Sequence, residues 1–240
     1  MISVSDDEIF YEAASLRDLQ SIFKKYPPTI HVGGWMYRGQ ADLDWKLSPK
    51  AGREGFSSVG READIAQLSI WLDKAVAYGP LPDDFLECMA IAQHHGLATR
   101  LLDWSNNPLV STYFACRDVP DKDAALYLYL PTSNIDTEVT NWRKVDHVAG
   151  FVPKTTAARI GSQSARFTYH PDPRESIEFM KLEHPFSGQQ LKKVIIPKES
   201  KVDILNELDI YNINDHSIFP DLDGLSSYMN WKMSITNRNA

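Results

Sequence analysis

The segment from Gln93 to Pro108 constrains the fold more than any other part of the chain. Most of its side chains can donate or accept hydrogen bonds, yet several leucines and a tryptophan are interleaved among them. Buried polar groups need partners, so the segment predicts an internal polar network at a helix–strand–helix junction. Two interpretations stay open: the network only fixes the junction, or it forms the wall of a ligand cleft.

Composition narrows the classes of protein to which the chain can belong. Its 240 residues, 43% of them hydrophobic, suffice for one sizeable core. The sequence has no apolar run of membrane-spanning length, and the N-terminal residues predict no secretory signal. The two cysteines, Cys88 and Cys116, lack metal-ligand spacing, which favours a reducing, cytoplasmic setting. A formal net charge of −7 disfavours nucleic acid as a partner.

Hydrophobic periodicity, together with proline and glycine positions, predicts interleaved helices and strands. Helices are predicted over residues 15–25, 62–78, 82–95, 109–116, 200–208 and 221–232. Strands are predicted over residues 35–39, 124–130, 148–152, 165–169 and 191–196. Residues 44–58 are expected to form an ordered loop, while residues 132–148 show no clear pattern. This order indicates an α+β fold in a single domain.

The first candidate binding group is Arg38, within Tyr37-Arg38-Gly39-Gln40 at the end of a predicted strand. Burying an arginine is costly unless it is paired, and Gly39 permits close approach of a backbone or ligand. The planar guanidinium matches a phosphate or a carboxylate. Its partner is therefore either an internal carboxylate such as Asp103 or an external anion.

Asp103 is the second candidate, because it stands among apolar residues in the central segment. The neighbouring leucines and tryptophan predict that Asp103 is buried and paired with Arg38 or Arg100. Tyr37–Gln40 and residues 93–108 are both polar stretches within apolar sequence, and buried polar groups need partners. We therefore expect the strand carrying Arg38 to lie next to residues 93–108.

The adjacent histidines His94 and His95 are poor joint ligands for one metal ion. Neighbouring positions on a helix point about 100° apart, and the sequence contains no HExxH pattern. We therefore expect no metal cofactor.

Several motifs together resemble the FRG-domain family, which is named for an aromatic-Arg-Gly motif. The resemblance lies in Tyr37–Gln40, Gln93–Ser105, Asn107-Pro108 and Tyr113–Ala115. Arg159-Ile160, Gln163 and Phe167-Thr168 look like a weaker third block, and Phe219–Leu225 is similar to the C-terminal signature. The resemblance implies a bacterial or phage-type protein with a helical lead-in over residues 1–29 and an FRG domain over residues 30–235.

The order of these blocks also resembles that of ADP-ribosyltransferases. This resemblance implies a mixed, mostly antiparallel sheet flanked by helices, with NAD as the cofactor or substrate. Arg38 and Gln163 would then be catalytic, although Gln163 is neutral and only Glu175 or Glu178 downstream could supply a carboxylate in its place. The residues expected to bind NAD are Tyr37, Arg38, Gly39, Gln93, His94, His95, Thr99, Arg100, Asp103, Trp104 and Ser105.

Two functional hypotheses follow from the resemblance. The first is an NAD-dependent ADP-ribosyltransferase or NAD glycohydrolase, with a protein as a candidate target. The second is a non-catalytic module that senses a nucleotide or binds a protein, with a role in phage defence. Neither hypothesis involves a membrane.

Overall fold

An eight-stranded mixed sheet organises the structure. The computed structural model describes residues 10–28, 34–57, 60–154, 165–177 and 190–236. The strands are β1 (Phe10–Glu12), β2 (Met36–Gln40), β3 (Leu101–Ser105), β4 (Ala124–Leu130), β5 (Asn134–Ile135), β6 (Ala149–Phe151), β7 (Ala165–Tyr169) and β8 (Gln190–Ile196). Their spatial order is β1-β8-β4-β2-β3-β7-β6-β5. The pairs β1–β8 and β5–β6 are parallel, and the other pairs are antiparallel.

Helices complete the fold and confirm the predicted α+β class. The described residues form α1 (Leu16–Lys25), α2 (Ala63–Ala75), α3 (Phe85–His94), α4 (Pro108–Cys116), α5 (Lys201–Ile210), α6 (Asp215–Ile218) and α7 (Leu222–Thr236). Short 3-10 turns cover Lys50–Gly52, Trp142–Lys144 and Lys198–Ser200. No helix in the described ranges is both long and apolar enough to cross a membrane.

Local sequence signals explain where the helices around the site begin and end. The Asp84 carboxylate accepts hydrogen bonds from the backbone amides of Leu86 and Glu87, which caps α3. Gly96 follows α3 with φ +92°, a conformation that glycine adopts without strain. Asn107 caps α4, so α3, β3 and α4 form the expected helix–strand–helix junction.

Three clusters of buried side chains make up the core. The first joins α1, α4 and α5 to β2, β4 and β8. The second joins α2 and α3 to β3, β6 and β7. The third consists of every second side chain of β2, β3 and β4, and it also includes Leu47 and Ile177. Because side chains alternate along a strand, Tyr37 packs in the first cluster and Met36 in the third.

The sheet opens between its two central strands. β2 pairs with β4 along its whole length, and β3 pairs with β7 along its whole length. In contrast, β2 and β3 are paired only at Tyr37 and Ser105. The strands therefore separate on the side of this pair that carries Arg38 and Asp103.

Gly39 fixes how closely α4 approaches this opening. A Cβ atom at Gly39 would collide with the Ser111 carbonyl oxygen and would lie 2.5 Å from the Ala115 nitrogen. Both obstacles are backbone atoms of α4, so neither can move without moving the helix. The glycine in the aromatic-Arg-Gly motif is thus required by packing between a strand and a helix.

We expect Gly39→Ala to lower the free energy of unfolding by about 3 kcal/mol, because the added methyl group overpacks a rigid contact. Chemical denaturation of both proteins measures this loss. The control is Gly55→Ala, where a Cβ meets open space but φ is +89°, so only about 1 kcal/mol of backbone strain is expected. Equal losses in the two variants would contradict the packing argument.

Candidate functional site

A cleft of about 900 Å³ lies where β2 and β3 separate. Both strands contribute side chains to it, and so do the end of α3 and the loop that follows β2. Eight of the predicted site residues line the cleft: Tyr37, Arg38, Gly39, Gln93, His94, Asp103, Trp104 and Ser105. The volume is in the range of small-molecule sites.

Arg38 spans the gap between the two strands. Its Nη1 donates a 2.6 Å hydrogen bond to the carbonyl oxygen of Asp103 and lies 3.9 Å from the carboxylate Oδ2. This contact confirms the prediction that the strand carrying Arg38 lies next to residues 93–108. Only 16% of the Arg38 side chain is exposed, and Nε has no hydrogen-bond partner among the described residues.

Arg38 stays charged at neutral pH in spite of its burial. Burial lowers the pKa of Arg38 to about 10, the charge of Asp103 raises the pKa, and the positive charge of Arg53 lowers it. Arg53 also lines the cleft, so two guanidinium groups stand in it. Such a site attracts anions.

The prediction that Asp103 is buried is wrong, since 61% of its side chain is exposed. Alternation along β3 explains the error: Leu102 and Trp104 pack into the third cluster, whereas the side chain between them points the other way. The predicted pairing with Arg38 is present, but as a loose contact of 3.9 Å between Nη1 and Oδ2.

A relay of hydrogen bonds holds the Asp103 carboxylate in place. Gln93 Nε2 donates to Asp103 Oδ1 over 2.7 Å. The side-chain Oε1 of Gln93 in turn accepts from the Thr99 hydroxyl, and the Leu101 backbone amide donates to Thr99 Oγ1 over 3.1 Å. Thr99 therefore stands one step behind the cleft. Residues 93–108 fix the junction and also contribute to the wall of the cleft, whereas a role of that wall in ligand binding stays a prediction.

Arg100 is bound inside the protein and does not line the cleft. Its Nε and Nη2 donate to the two carboxylate oxygens of Asp64 over 2.9 and 2.8 Å. Further donations reach the carbonyl oxygens of Arg61 and Pro171. The predicted alternative of an Arg100–Asp103 pair is therefore wrong, and Arg100 ties α2 to the core.

The two adjacent histidines differ in exposure and in whether they line the cleft. His94 lines the cleft, whereas His95 is exposed and does not line it. Their rings meet edge to face with centroids 5.1 Å apart. Among the described residues, no group of three His, Cys, Asp or Glu side chains is arranged to hold a metal ion.

Trp104 is held by a buried polar chain beneath the cleft. Its indole Nε1 donates to the Thr168 hydroxyl over 3.0 Å, and that hydroxyl lies 3.1 Å from His170 Nε2. Burial lowers the pKa of His170 to about 3, so the ring is neutral and can accept through Nε2. Tyr129 stacks on Trp104 with ring centroids 5.2 Å apart.

Sequence reasoning missed the contribution of the loop after β2. The cleft-lining residues of this loop are Ala41, Asp44, Trp45, Lys46, Ser48, Gly52, Arg53 and Glu54. Arg53 is held there because its Nε and Nη2 both donate to the Ser48 carbonyl oxygen over 3.2 Å. The available signal was a loop rich in cations and aromatics between two regular elements, since such loops often carry function.

A buried lysine from α5 anchors two edges of the cleft. Lys201 Nζ donates to the carbonyl oxygens of Ala41, Asp118 and Val119 over 2.7, 3.2 and 2.8 Å. Ala41 and Asp118 both line the cleft. All three ammonium protons therefore have acceptors.

The third block lies only partly within the described structure. Arg159, Ile160 and Gln163 fall outside the described residues, so the role expected for Gln163 stays a prediction. Phe167 and Thr168 lie on β7, the neighbour of β3.

The comparisons with known proteins identify one family. A family model described as the FRG domain matches residues 33–124. Residues 33–124 carry an FRG domain. The match includes β2, the loop after it and the central segment, which supply most of the cleft. No curated protein and no solved structure matches the chain. The FRG boundary predicted at residue 235 stays a prediction.

The structure predicts stability losses of different size for two aspartates of this site region. We expect Asp64→Ala to cost about 3–5 kcal/mol of unfolding free energy, because it removes the buried carboxylate that pairs with Arg100 and leaves only the exposed Glu62, 3.5 Å from Nη2. Asp103→Ala, at an exposed position, is expected to cost less than about 1 kcal/mol. Urea denaturation of the two variants measures both losses, and the reverse order would refute the assignment of Arg100 to the core.

His170 should make stability fall with acidity. The folded protein keeps this ring neutral while the unfolded chain binds a proton below its ordinary pKa of 6.5, so the stability present above pH 6.5 is lost as pH falls. From pH 6.5 to pH 5 the loss is expected to be about 2 kcal/mol. Denaturation at these two pH values measures the change in unfolding free energy. In the variant His170→Gln this change should be smaller than in the wild type. If the variant loses as much unfolding free energy as the wild type, groups other than His170 cause the pH dependence.

Proposed function

We propose that the cleft binds a nucleotide, with NAD as the first candidate and Arg38 as the group that contacts its phosphates. The observation that carries this proposal is a mostly buried cation, lining a cleft, whose Nε has no partner in the described part of the chain. A buried donor without an acceptor is costly, and a phosphate oxygen is a strong acceptor for a guanidinium.

The surroundings of Arg38 support an anionic ligand that also carries rings. A phosphate near both guanidinium groups would relieve the repulsion by which Arg53 lowers the pKa of Arg38. Trp45 lines the cleft with 49% of its surface exposed, which leaves an aromatic face available for stacking against a base. These features suit a nucleotide better than a bare phosphate ion.

Cleavage of NAD, with transfer of ADP-ribose to a protein or to water, is the activity we favour. Breaking the nicotinamide–ribose bond creates positive charge at the ribose, which a nearby carboxylate stabilises. Support for this activity comes from the order of the motifs around Arg38, which resembles that of ADP-ribosyltransferases. A carboxylate, that of Asp103, also stands in the cleft.

The second candidate function is a non-catalytic module that senses a nucleotide or binds a protein, with phage defence as its setting. The neutral side chain of Gln163 in the third block favours it, because a glutamine cannot match the electrostatics of a carboxylate. Incubating the purified protein with NAD and measuring free nicotinamide separates the candidates. Release above the rate of a heat-denatured sample supports the enzyme, whereas binding without release supports the module.

Arg38→Lys tests the proposed phosphate contact, because lysine keeps the charge but loses the planar fork. We expect the variant to stay folded and its affinity for ADP-ribose to fall tenfold or more, which corresponds to about 1.4 kcal/mol. Calorimetric titration of ADP-ribose into both proteins gives the affinities, and thermal melts verify folding.

Arg17→Lys on the exposed surface of α1 is the matched control and should bind like the wild type. Equal affinities of Arg38→Lys and wild type would remove Arg38 from the site. A wild-type protein that binds neither NAD nor ADP-ribose would favour the protein-binding module.

A further inference from the structure

We propose that Asp103 is a second, negative pole of the cleft and that it selects a ligand bearing a cationic ring. This inference rests on the proposed function. It narrows the ligand class to dinucleotides that carry negative phosphates and one positive ring, such as NAD+, over those with a neutral ring, such as NADH.

The placement of the Asp103 carboxylate is the first argument. It lines the cleft, and 61% of its side chain is exposed. An exposed carboxylate on a surface usually samples many positions, but this one accepts a 2.7 Å hydrogen bond from Gln93. Gln93 is itself oriented by the Thr99 hydroxyl. The charge is therefore held in place while remaining open to a ligand, which is the arrangement expected of a preorganised site.

The distance to Arg38 is the second argument. Oδ2 lies 3.9 Å from Arg38 Nη1, whereas Nη1 makes its short hydrogen bond to the Asp103 carbonyl oxygen. The two side chains attract each other without forming a bidentate pair, so neither charge is fully satisfied by the other. A positive and a negative group thus stand side by side, and a ligand with both signs of charge could satisfy both.

Other carboxylates of the cleft are placed differently. Asp118 Oδ2 lies 3.5 Å from Arg117 Nε, so its charge is shared with a neighbouring cation. The carboxylates of Asp44 and Glu54 belong to the loop after β2. Asp103 is the carboxylate that β3 presents beside Arg38, with Oδ2 3.9 Å from Nη1.

The physical basis for selection is the charge difference between the two nicotinamide states. The oxidised ring carries one positive charge and the reduced ring carries none, while the phosphates are the same. Attraction between unit charges a few ångströms apart is large enough in a partly dehydrated cleft to exceed a tenfold change in affinity. Asp103 should therefore discriminate between the rings and should leave phosphate binding to Arg38.

Asp103→Asn is the variant that isolates this charge, because asparagine keeps an oxygen for the Gln93 hydrogen bond. NAD+, NADH and ADP-ribose are titrated calorimetrically into wild type, Asp103→Asn and Asp73→Asn. The last variant removes one negative charge from the exposed surface of α2 and controls for net charge. Chromatography of each sample verifies that NAD+ is intact, and carba-NAD+ replaces it where nicotinamide is released.

We expect the wild type and Asp73→Asn to bind NAD+ about tenfold or more tightly than NADH, and Asp103→Asn to bind the two with nearly equal affinity. ADP-ribose should bind Asp103→Asn as tightly as wild type or more tightly, because a negative charge beside Arg38 has been removed. Equal wild-type affinities for NAD+ and NADH would overturn the inference while leaving the nucleotide proposal standing. A preference retained in Asp103→Asn would overturn it as well. Failure of the wild type to bind any of the three would overturn the proposed function itself.

Discussion

The bond between Arg38 and the Asp103 backbone replaces a ladder hydrogen bond at the centre of the sheet. If the register of Tyr37 and Ser105 continued, Gly39 would lie opposite Asp103. The strands instead diverge, and a side chain from β2 satisfies the β3 carbonyl oxygen. An opening in a sheet leaves backbone groups without partners, so a long donor such as arginine is what allows the opening to persist. The cleft, the exposure of Asp103 and the access to Arg38 all depend on this substitution of a side chain for a backbone donor.

Much of the fold could be predicted from the sequence because its main elements carry strong local signals. The apolar run at Ala124–Leu130 and the segment Ala165–Tyr169 were predicted with the bounds that the structure shows. The predicted helix ends at Ser15 and Gly96 are likewise confirmed. The missed elements β1, β5 and α6 have three, two and four residues, which is too short for a periodic pattern. Contacts with neighbouring elements stabilise them: β1 pairs with β8, β5 pairs with β6, and α6 packs against α7.

The site was harder to predict than the fold. Whether a residue lines the cleft depends on which way its side chain points and on contacts with residues far away in the sequence. Arg100 and Asp103 stand three positions apart in one polar segment, yet one is buried against Asp64 and the other faces the cleft. Arg100 stands just before β3, and Asp103 is the third residue of β3. Which of the two faces the cleft therefore depends on where the strand begins, and the sequence did not show that. Arg53 reached the site through a loop whose path no local pattern specifies. The sequence thus located a segment that lines the cleft and left open which of its side chains face the cleft.

The Lys201 anchor implies an order of events during translation. Its acceptors at Ala41, Asp118 and Val119 are made 160, 83 and 82 residues earlier. Most of residues 33–124 therefore leave the ribosome before the lysine that fixes them is synthesised. Until β8 emerges, one edge of β4 is also unpaired, and unpaired edges invite pairing with other chains. The contacts that Lys201 makes to both edges of the cleft can form only after residue 201 has left the ribosome, so the cleft is completed late in synthesis.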